Sequence, residues 1–294
     1  MQGKIVKAVA GFYYVDTDGS GVYACKAKGI FRLQKVSPLV GDNVRFEVTE
    51  PNDLEGNITE ILARRNSLIR PAAANVDQAF VVFAARRPDP NFNLLDRFLI
   101  MMQKQDIHTI ICFNKIDIAK QHEISQLKSI YELCGHEVLF ASVHANEGIE
   151  QIREILAGKT TVLAGPSGVG KSSLMNLLAP EANMETGELS AKIARGKQTT
   201  RHTELFRIGP STYLCDTPGF TSLYVTDIEK ENLRDYFPEF TEYAYECRFD
   251  SCRHISEPGC AVKKAVEESK ISRIRYENYC MMFEELAKQE KRRY

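Results

Sequence analysis

Three short motifs, and the order in which they occur, constrain this chain more than its composition does. Asn114-Lys115-Ile116-Asp117 comes first, Gly165-Pro166-Ser167-Gly168-Val169-Gly170-Lys171-Ser172-Ser173 follows, and Asp216-Thr217-Pro218-Gly219 comes last. Each stands where an apolar run ends, at 109–113, 161–164 and 212–215. Such runs read as buried strands, and ligands bind at the C-terminal ends of strands in open α/β sheets. The glycines at 165, 168 and 170 let the backbone curl so that N–H groups face phosphates at a helix N-terminus. Lys171 then reaches the β- and γ-phosphates and the Ser172 hydroxyl ligates Mg²⁺. Asp117 accepts hydrogen bonds from N1–H and the exocyclic amine of guanine, a pair that adenine does not offer. The stem of Lys115 lies over the base, and Asn114 ties this loop to the phosphate loop. Ser142-Val143, behind a strand at 138–141, resembles the loop whose backbone N–H reaches guanine O6. Asp216 holds the metal through water and the Gly219 N–H bonds the γ-phosphate.

The order is rotated. In a Ras-like GTPase the phosphate loop comes first and the base-reading motif near the end, so the order here is the signature of a circular permutation. Between the helix expected at 173–178 and Asp216 lies Arg195-Gly196-Lys197-Gln198-Thr199-Thr200-Arg201-His202, rich in Gly, Lys and Arg and without hydrophobic periodicity. Its position suits a switch segment in which Thr199 or Thr200 binds Mg²⁺ and senses the γ-phosphate; a plain surface loop would look the same.

The 294 residues favour two or three domains. A net charge of −1 gives no global pull toward nucleic acid, so any RNA contact must come from local patches. No apolar run is long enough to span a membrane, and the N-terminus carries neither a signal-peptide core nor a lipidation motif; cytoplasm is the expectation. From residue 4 to about 64, five short strands divided by turns suit a small OB-type barrel. Lys26, Lys28, Arg32 and Lys35 with Tyr23 and Phe31 form either an RNA-facing surface or a solvated face over core aromatics. Past Gly219, Cys247, Cys252, His254 and Cys260 gather four soft ligands within 247–260, a spacing that suits tetrahedral Zn²⁺ with no open catalytic position. Cys112 and Cys215 sit in apolar strands and read as small core residues. The segment 261–288 reads as helical.

Barrel, permuted GTPase and Cys-Cys-His-Cys module in this order resemble the bacterial ribosome small-subunit-dependent GTPase A family (RsgA or YjeQ), over essentially the whole chain. The resemblance implies an α/β P-loop GTPase domain, circularly permuted, between an N-terminal OB-fold and a mainly helical zinc-binding C-terminus. The expected divisions are 1–70, 71–225 and 226–294. It implies GTP and GDP with Mg²⁺ on Ser172 and Thr200, one structural Zn²⁺, and nucleotide contacts from 114–117 and 165–173. It further implies a role in late maturation of the 30S ribosomal subunit with subunit-stimulated hydrolysis; the expectation is a monomer that binds the subunit and its 16S rRNA and leaves after hydrolysis. Lys171, Thr200 and Asp216 are the expected catalytic groups. Many members carry a histidine directly before the switch Thr-Thr pair where this chain has Gln198, so Gln198 or nearby His202 takes that place. An RNA-binding assembly module with negligible turnover is the rival reading; a metabolic P-loop kinase is disfavoured by Asp117.

Overall fold

The structure, a computed structural model, describes residues 1–29, 31, 36–50, 54–69, 71–180, 203–216, 225 and 228–293. Arg32, Lys35, Gln198, Thr199, Thr200, His202, Gly219 and Phe220 lie outside the described residues.

The chain opens with strands β1 (Gln2–Val9), β2 (Phe12–Asp16), β3 (Val22–Ala27), β4 (Asn43–Glu50) and β5 (Glu55–Ile61). They pair in the order β1-β2-β3-β5-β4, and β4 returns to β1 through Gln2↔Arg45 and its neighbours, closing a barrel. Only β3 and β5 run parallel. Alternation along the strands sends Ile5, Val15, Cys25, Val44, Phe46 and Ile58 inward, where all are fully buried. Tyr23 belongs to that inward set, its ring 5.1 Å from that of Phe46, and Phe31 is buried too. Neither presents a face for stacking on RNA, so of the two alternatives both rings are core aromatics. Lys26 instead lies over the Phe12 ring, and Lys28 pairs with Glu47 at 3.1 Å.

A two-stranded hairpin, β6 (Ser67–Leu68) with β7 (Ala73–Ala74), leads into the second layer. There β8 (Gln78–Ala84), β9 (His108–Asn114), β10 (Glu137–Phe140), β11 (Thr160–Ala164), β12 (Glu204–Gly209) and β13 (Thr212–Asp216) form a sheet in the order β10-β9-β8-β11-β13-β12. All neighbours are parallel except β12, which returns antiparallel on β13. Helices cover both faces: α1 (Phe92–Gln103), α2 (Gln121–Tyr131), α3 (Ile149–Leu156) and α4 (Lys171–Leu178). Every residue of β8 and β11 is buried, which is why both read as continuous apolar runs. Ala79, Val81 and Phe83 of β8 pack with Leu95, Leu99 and Tyr131 of α1 and α2. The alternate Phe80, Val82 and Ala84 pack with Ile152, Leu156, Leu174 and Leu178 of α3 and α4. The chain builds β8, β9 and β10 outward and only then inserts β11, the phosphate-loop strand, on the free side of β8. That is the permutation in spatial form.

Barrel and sheet are joined at β1 and β12, which pair through Lys7↔Glu204. Tyr213 Oη donates to Asp16 at 2.7 Å, and Arg207 pairs with Asp16 and Asp18. Strand β12 was not foreseen from the sequence. After a 3₁₀ turn at Lys230–Tyr236, α5 (Pro238–Ala244), α6 (Ala261–Glu267) and α7 (Arg273–Arg293) enclose a third core of Leu233, Phe237, Phe240, Val262, Tyr279 and Met282. The segment 261–288, expected to be helical, is two helices separated at 268–272. The Lys270 and Ile271 N–H groups fold back onto the Ala265 carbonyl, and Ser269 takes a left-handed φ of 58°. Ile100 of α1 belongs to this third core, so the C-terminal helices rest directly on the central domain. Among the described residues no helix is long and apolar enough to cross a membrane.

Candidate functional site: a nucleotide cleft and a Cys₃His centre

Strands β9, β11 and β13 are parallel and in register, so Asn114, Gly165 and Asp216 come out at one edge of the sheet. Asn114 is buried and fully employed. Its Nδ2 donates to the Val169 carbonyl at 2.9 Å, and its Oδ1 accepts the Val143 N–H at 3.1 Å. One side chain therefore fastens the base-reading loop to the phosphate loop and to the Ser142-Val143 loop. Gly170, at φ 100°, is required by this contact: a Cβ there would lie 2.3 Å from Asn114 Nδ2.

Ser142 is completely buried. Its Oγ accepts the Ala145 N–H at 3.0 Å and donates to Asp117 Oδ1 at 2.6 Å, which fixes the plane of the carboxylate. Lys115 sits at a left-handed φ of 65° and donates to the carbonyls of Arg87 and Gly168, each at 2.6 Å. Burial pulls its ammonium pKa down while Asp117 opposes the fall. Ile116 packs against the core beneath. Lys171 begins α4 and donates to the Pro166 carbonyl at 2.7 Å, across the mouth of the loop. Ser172 and Ser173 lie half-buried in the first turn of α4, Ser167 and Gly168 stand exposed, and Val169 is buried in the core shared with α3 and α4. Asp216, half-buried, closes β13 beside Leu163. The described motif residues thus converge on one cleft whose N–H-rich loop suits phosphate and whose Asp117 suits guanine. The Arg87 carbonyl was missed from the sequence, because a main-chain acceptor leaves no side-chain signature.

The second centre is assembled from the loop after α5 and the start of α6. Cys247 Sγ lies 3.7 Å from His254 Nδ1 and 4.0 Å from Cys260 Sγ, and Cys260 Sγ lies 3.4 Å from the same Nδ1. With Cys252, all four ligand atoms fall within 4.8 Å of one another. Zinc–thiolate bonds of about 2.3 Å set tetrahedral ligand atoms about 3.8 Å apart, so the donor set fits the ion in both chemistry and size. Burial pushes the Cys252 thiol up to about 12, a cost that a bound dication reverses. His254 is held down to about 4 by burial and then by Arg234, hence neutral, as a ligand must be. Tyr276 Oη donates to the His254 carbonyl at 2.7 Å, Tyr279 Oη to the Arg253 carbonyl at 2.5 Å, and Arg234 to the Cys252 carbonyl at 2.7 Å. These outer contacts hold the knuckle between α7 and the 3₁₀ turn at Lys230–Tyr236. Cys25, Cys112, Cys134 and Cys215 are buried elsewhere as free thiols.

A parallel sheet with base and phosphate loops at its strand ends, read in rotated order behind a closed barrel, defines a circularly permuted GTPase. The sequence model of the RsgA GTPase matches residues 61–226, and that of the RsgA N-terminal domain matches residues 2–58. This chain belongs to the RsgA GTPase family. A relative from Agathobacter rectalis named small ribosomal subunit biogenesis GTPase RsgA is 52% identical, covering 99% of this chain and 100% of the relative. One of the same name from Bacillus cereus is 47% identical over 99% of each. Among solved structures, YjeQ from Thermotoga maritima is similar with a TM-score of 0.81 and 35% identity, covering 97% of this chain and 98% of that one. YloQ, described as a circularly permuted GTPase, has a TM-score of 0.77 and 40% identity, covering 98% and 95%.

Proposed function

We propose that this chain is a GTP hydrolase of late small-subunit maturation that binds the 30S particle and its 16S rRNA in the GTP state and leaves after subunit-stimulated hydrolysis. The names of its relatives support the ribosomal role. The observation that carries the nucleotide reading is the Asn114 tie, which makes base reading and phosphate binding one rigid unit. On this reading the chain works as a cytoplasmic monomer in three parts divided near residues 70 and 225.

In the reaction, the N–H groups of 165–170 and the start of α4 receive the phosphates, and Lys171 leaves the Pro166 carbonyl to neutralise charge between them. Asn114, Lys115, Asp117, Ser142 and Val143 hold the guanine. Ser172 and Thr200 would hold Mg²⁺, with Asp216 assisting through water, and the Gly219 N–H would bond the γ-phosphate; when bound, the ion would supply charge neutralisation to the transferred phosphoryl group. Cys247, Cys252, His254 and Cys260 would hold a structural zinc that fixes the C-terminal part. Where Ras-like GTPases place a water-orienting glutamine, directly after Gly219, this chain has Phe220, which can neither orient nor polarise water. Intrinsic turnover is therefore expected near 10⁻⁴ to 10⁻² per second, of the order of unassisted rates, with Gln198 or His202 recruited on the partner. Single-turnover hydrolysis with and without 30S subunits tests this. Fast hydrolysis by the isolated chain, or no acceleration by subunits, defeats it.

A further inference from the structure

The largest cluster of buried charge in the described structure has no part in either site. Arg275 of α7 is 2% exposed, Asp96 of α1 1% and Glu239 of α5 8%. The guanidinium reaches Asp96 Oδ1 at 2.5 Å through Nη1, and grips both Glu239 oxygens through Nε and Nη2. Asp96 also accepts from Asn278 Nδ2 at 2.6 Å and from Tyr131 Oη at 3.2 Å. Beside it Arg97 pairs with Glu285 at 2.6 Å. Burying ions is costly, and apolar packing would serve stability as well or better, so such a cluster specifies position more than it adds strength.

The elements it fixes are informative. Asp96 lies on α1, which enters β9 and so the base-reading loop, and Tyr131 ends α2, which leaves that loop. Both helices flanking Asn114–Asp117 are pinned to one carboxylate, and that carboxylate is pinned to the C-terminal domain. Ahead of α1, the Arg87 carbonyl holds Lys115, and Ala85 N–H donates to the Asn114 carbonyl at 2.7 Å. Behind Arg275, the neighbouring Tyr276 and Tyr279 hold the carbonyls of the metal knuckle. The path from knuckle to base loop is continuous and avoids the segments after Ser173 and after Asp216.

We propose that Arg275 is a positioning residue for guanine-nucleotide binding, acting through Asp96 on the two helices that flank the base-reading loop. The proposal rests on the nucleotide reading of the cleft. Its signature follows from where it acts. The base loop is common to GDP and GTP, so loosening it speeds release of both alike and leaves the phosphate chemistry untouched.

The test measures dissociation of fluorescent GDP and GTP analogues from full-length wild type, Arg275→Met and Asp96→Asn, each also combined with Lys115→Ala, alongside zinc content and melting temperature. Both single changes should speed release of both nucleotides by the same factor, of the order of three- to thirtyfold, the range typical of mutations along a coupling network. The kcat at saturating GTP should stay within twofold. In the Lys115→Ala background the same changes should speed release by a smaller factor, because one of the contacts between the segment ahead of α1 and the base loop is already gone. Should Arg275→Met fail to fold, Asp96→Asn, which conserves shape, carries the comparison. Unchanged release from folded Asp96→Asn, or acceleration of one nucleotide without the other, overturns the proposal. Failure of the wild type itself to bind either analogue would instead refute the nucleotide reading.

Discussion

Replacing Asp117 by Asn tests base recognition at a single atom. Ser142 Oγ already accepts from the Ala145 N–H, and its proton points at Asp117 Oδ1. The asparagine carbonyl must take that place, which leaves the new NH₂ facing the base. The carbonyl can still take one of guanine's two N–H groups, as a neutral acceptor, while the other N–H now meets a donor. Losing one charge-assisted bond costs about 1.5–3 kcal/mol and the buried unpaired donors about 1–3 kcal/mol more, about 3–6 kcal/mol in all, or roughly a hundred- to ten-thousandfold in affinity. Xanthine carries a carbonyl in place of the amine and recovers one bond. Calorimetric titration of wild type and Asp117→Asn with GDP and XDP should therefore show GDP affinity falling at least a hundredfold and XDP overtaking it. GDP binding within tenfold of wild type would refute the assignment of Asp117 and of Ser142 as its orienting partner.

Other outcomes follow from neighbouring features. Gly170→Ala combines about 1–2 kcal/mol for a left-handed alanine with about 1–3 kcal/mol for the displaced Asn114 amide; GDP affinity should drop at least thirtyfold, and an unaltered titration would exclude the Asn114 tie. Wild type should carry about one zinc per chain by elemental analysis, and Cys252→Ala should lose it and become protease-sensitive after residue 225 while still binding nucleotide; a zinc-free, folded, active preparation would sink this. His136 is pulled down to about 4 from 6.5 by burial and then by Arg275. The native state keeps it neutral while the unfolded chain binds a proton below about pH 6.5. Its contribution is therefore complete above pH 6.5 and lost as pH falls toward 4, by at most about 3 kcal/mol. Urea unfolding of wild type and His136→Gln at pH 7 and 4.5 should show a shallower loss in the variant, and equal losses would contradict it.

What was legible in the sequence is what depends on local pattern. Strands β9, β11 and β13 are buried almost throughout, so they appear as apolar runs, and each motif stands at the end of one. The ligand spacing from Cys247 to Cys260 is equally local. Strand β12 was missed because an exposed Arg207 interrupts it and one of its two partners, β1, lies 197 residues back in the chain. The break at 268–272 has no Gly or Pro to announce it. Tyr23 was left open between two readings. Its alternation with Cys25 points it inward, whereas the lysines around it suggest a surface. Asp96 lay beyond reach for another reason: a carboxylate on an amphipathic helix reads as solvated until the arginine that buries it, 179 residues on, is in place.

The order in which the sheet is filled also sets a schedule for synthesis. Ribosomes deliver β8 complete at residue 84 but its neighbour β11 only at residue 164. At roughly 5–20 residues per second, that interval of about eighty residues lasts roughly 4–16 s. Throughout it, one side of a strand that is apolar from Ala79 to Ala84 has no partner, the kind of edge that recruits foreign strands. An unpermuted arrangement would make the central strand first. In this chain a nascent intermediate with half a sheet and no phosphate loop is unavoidable, and nucleotide cannot stabilise it until the second half arrives.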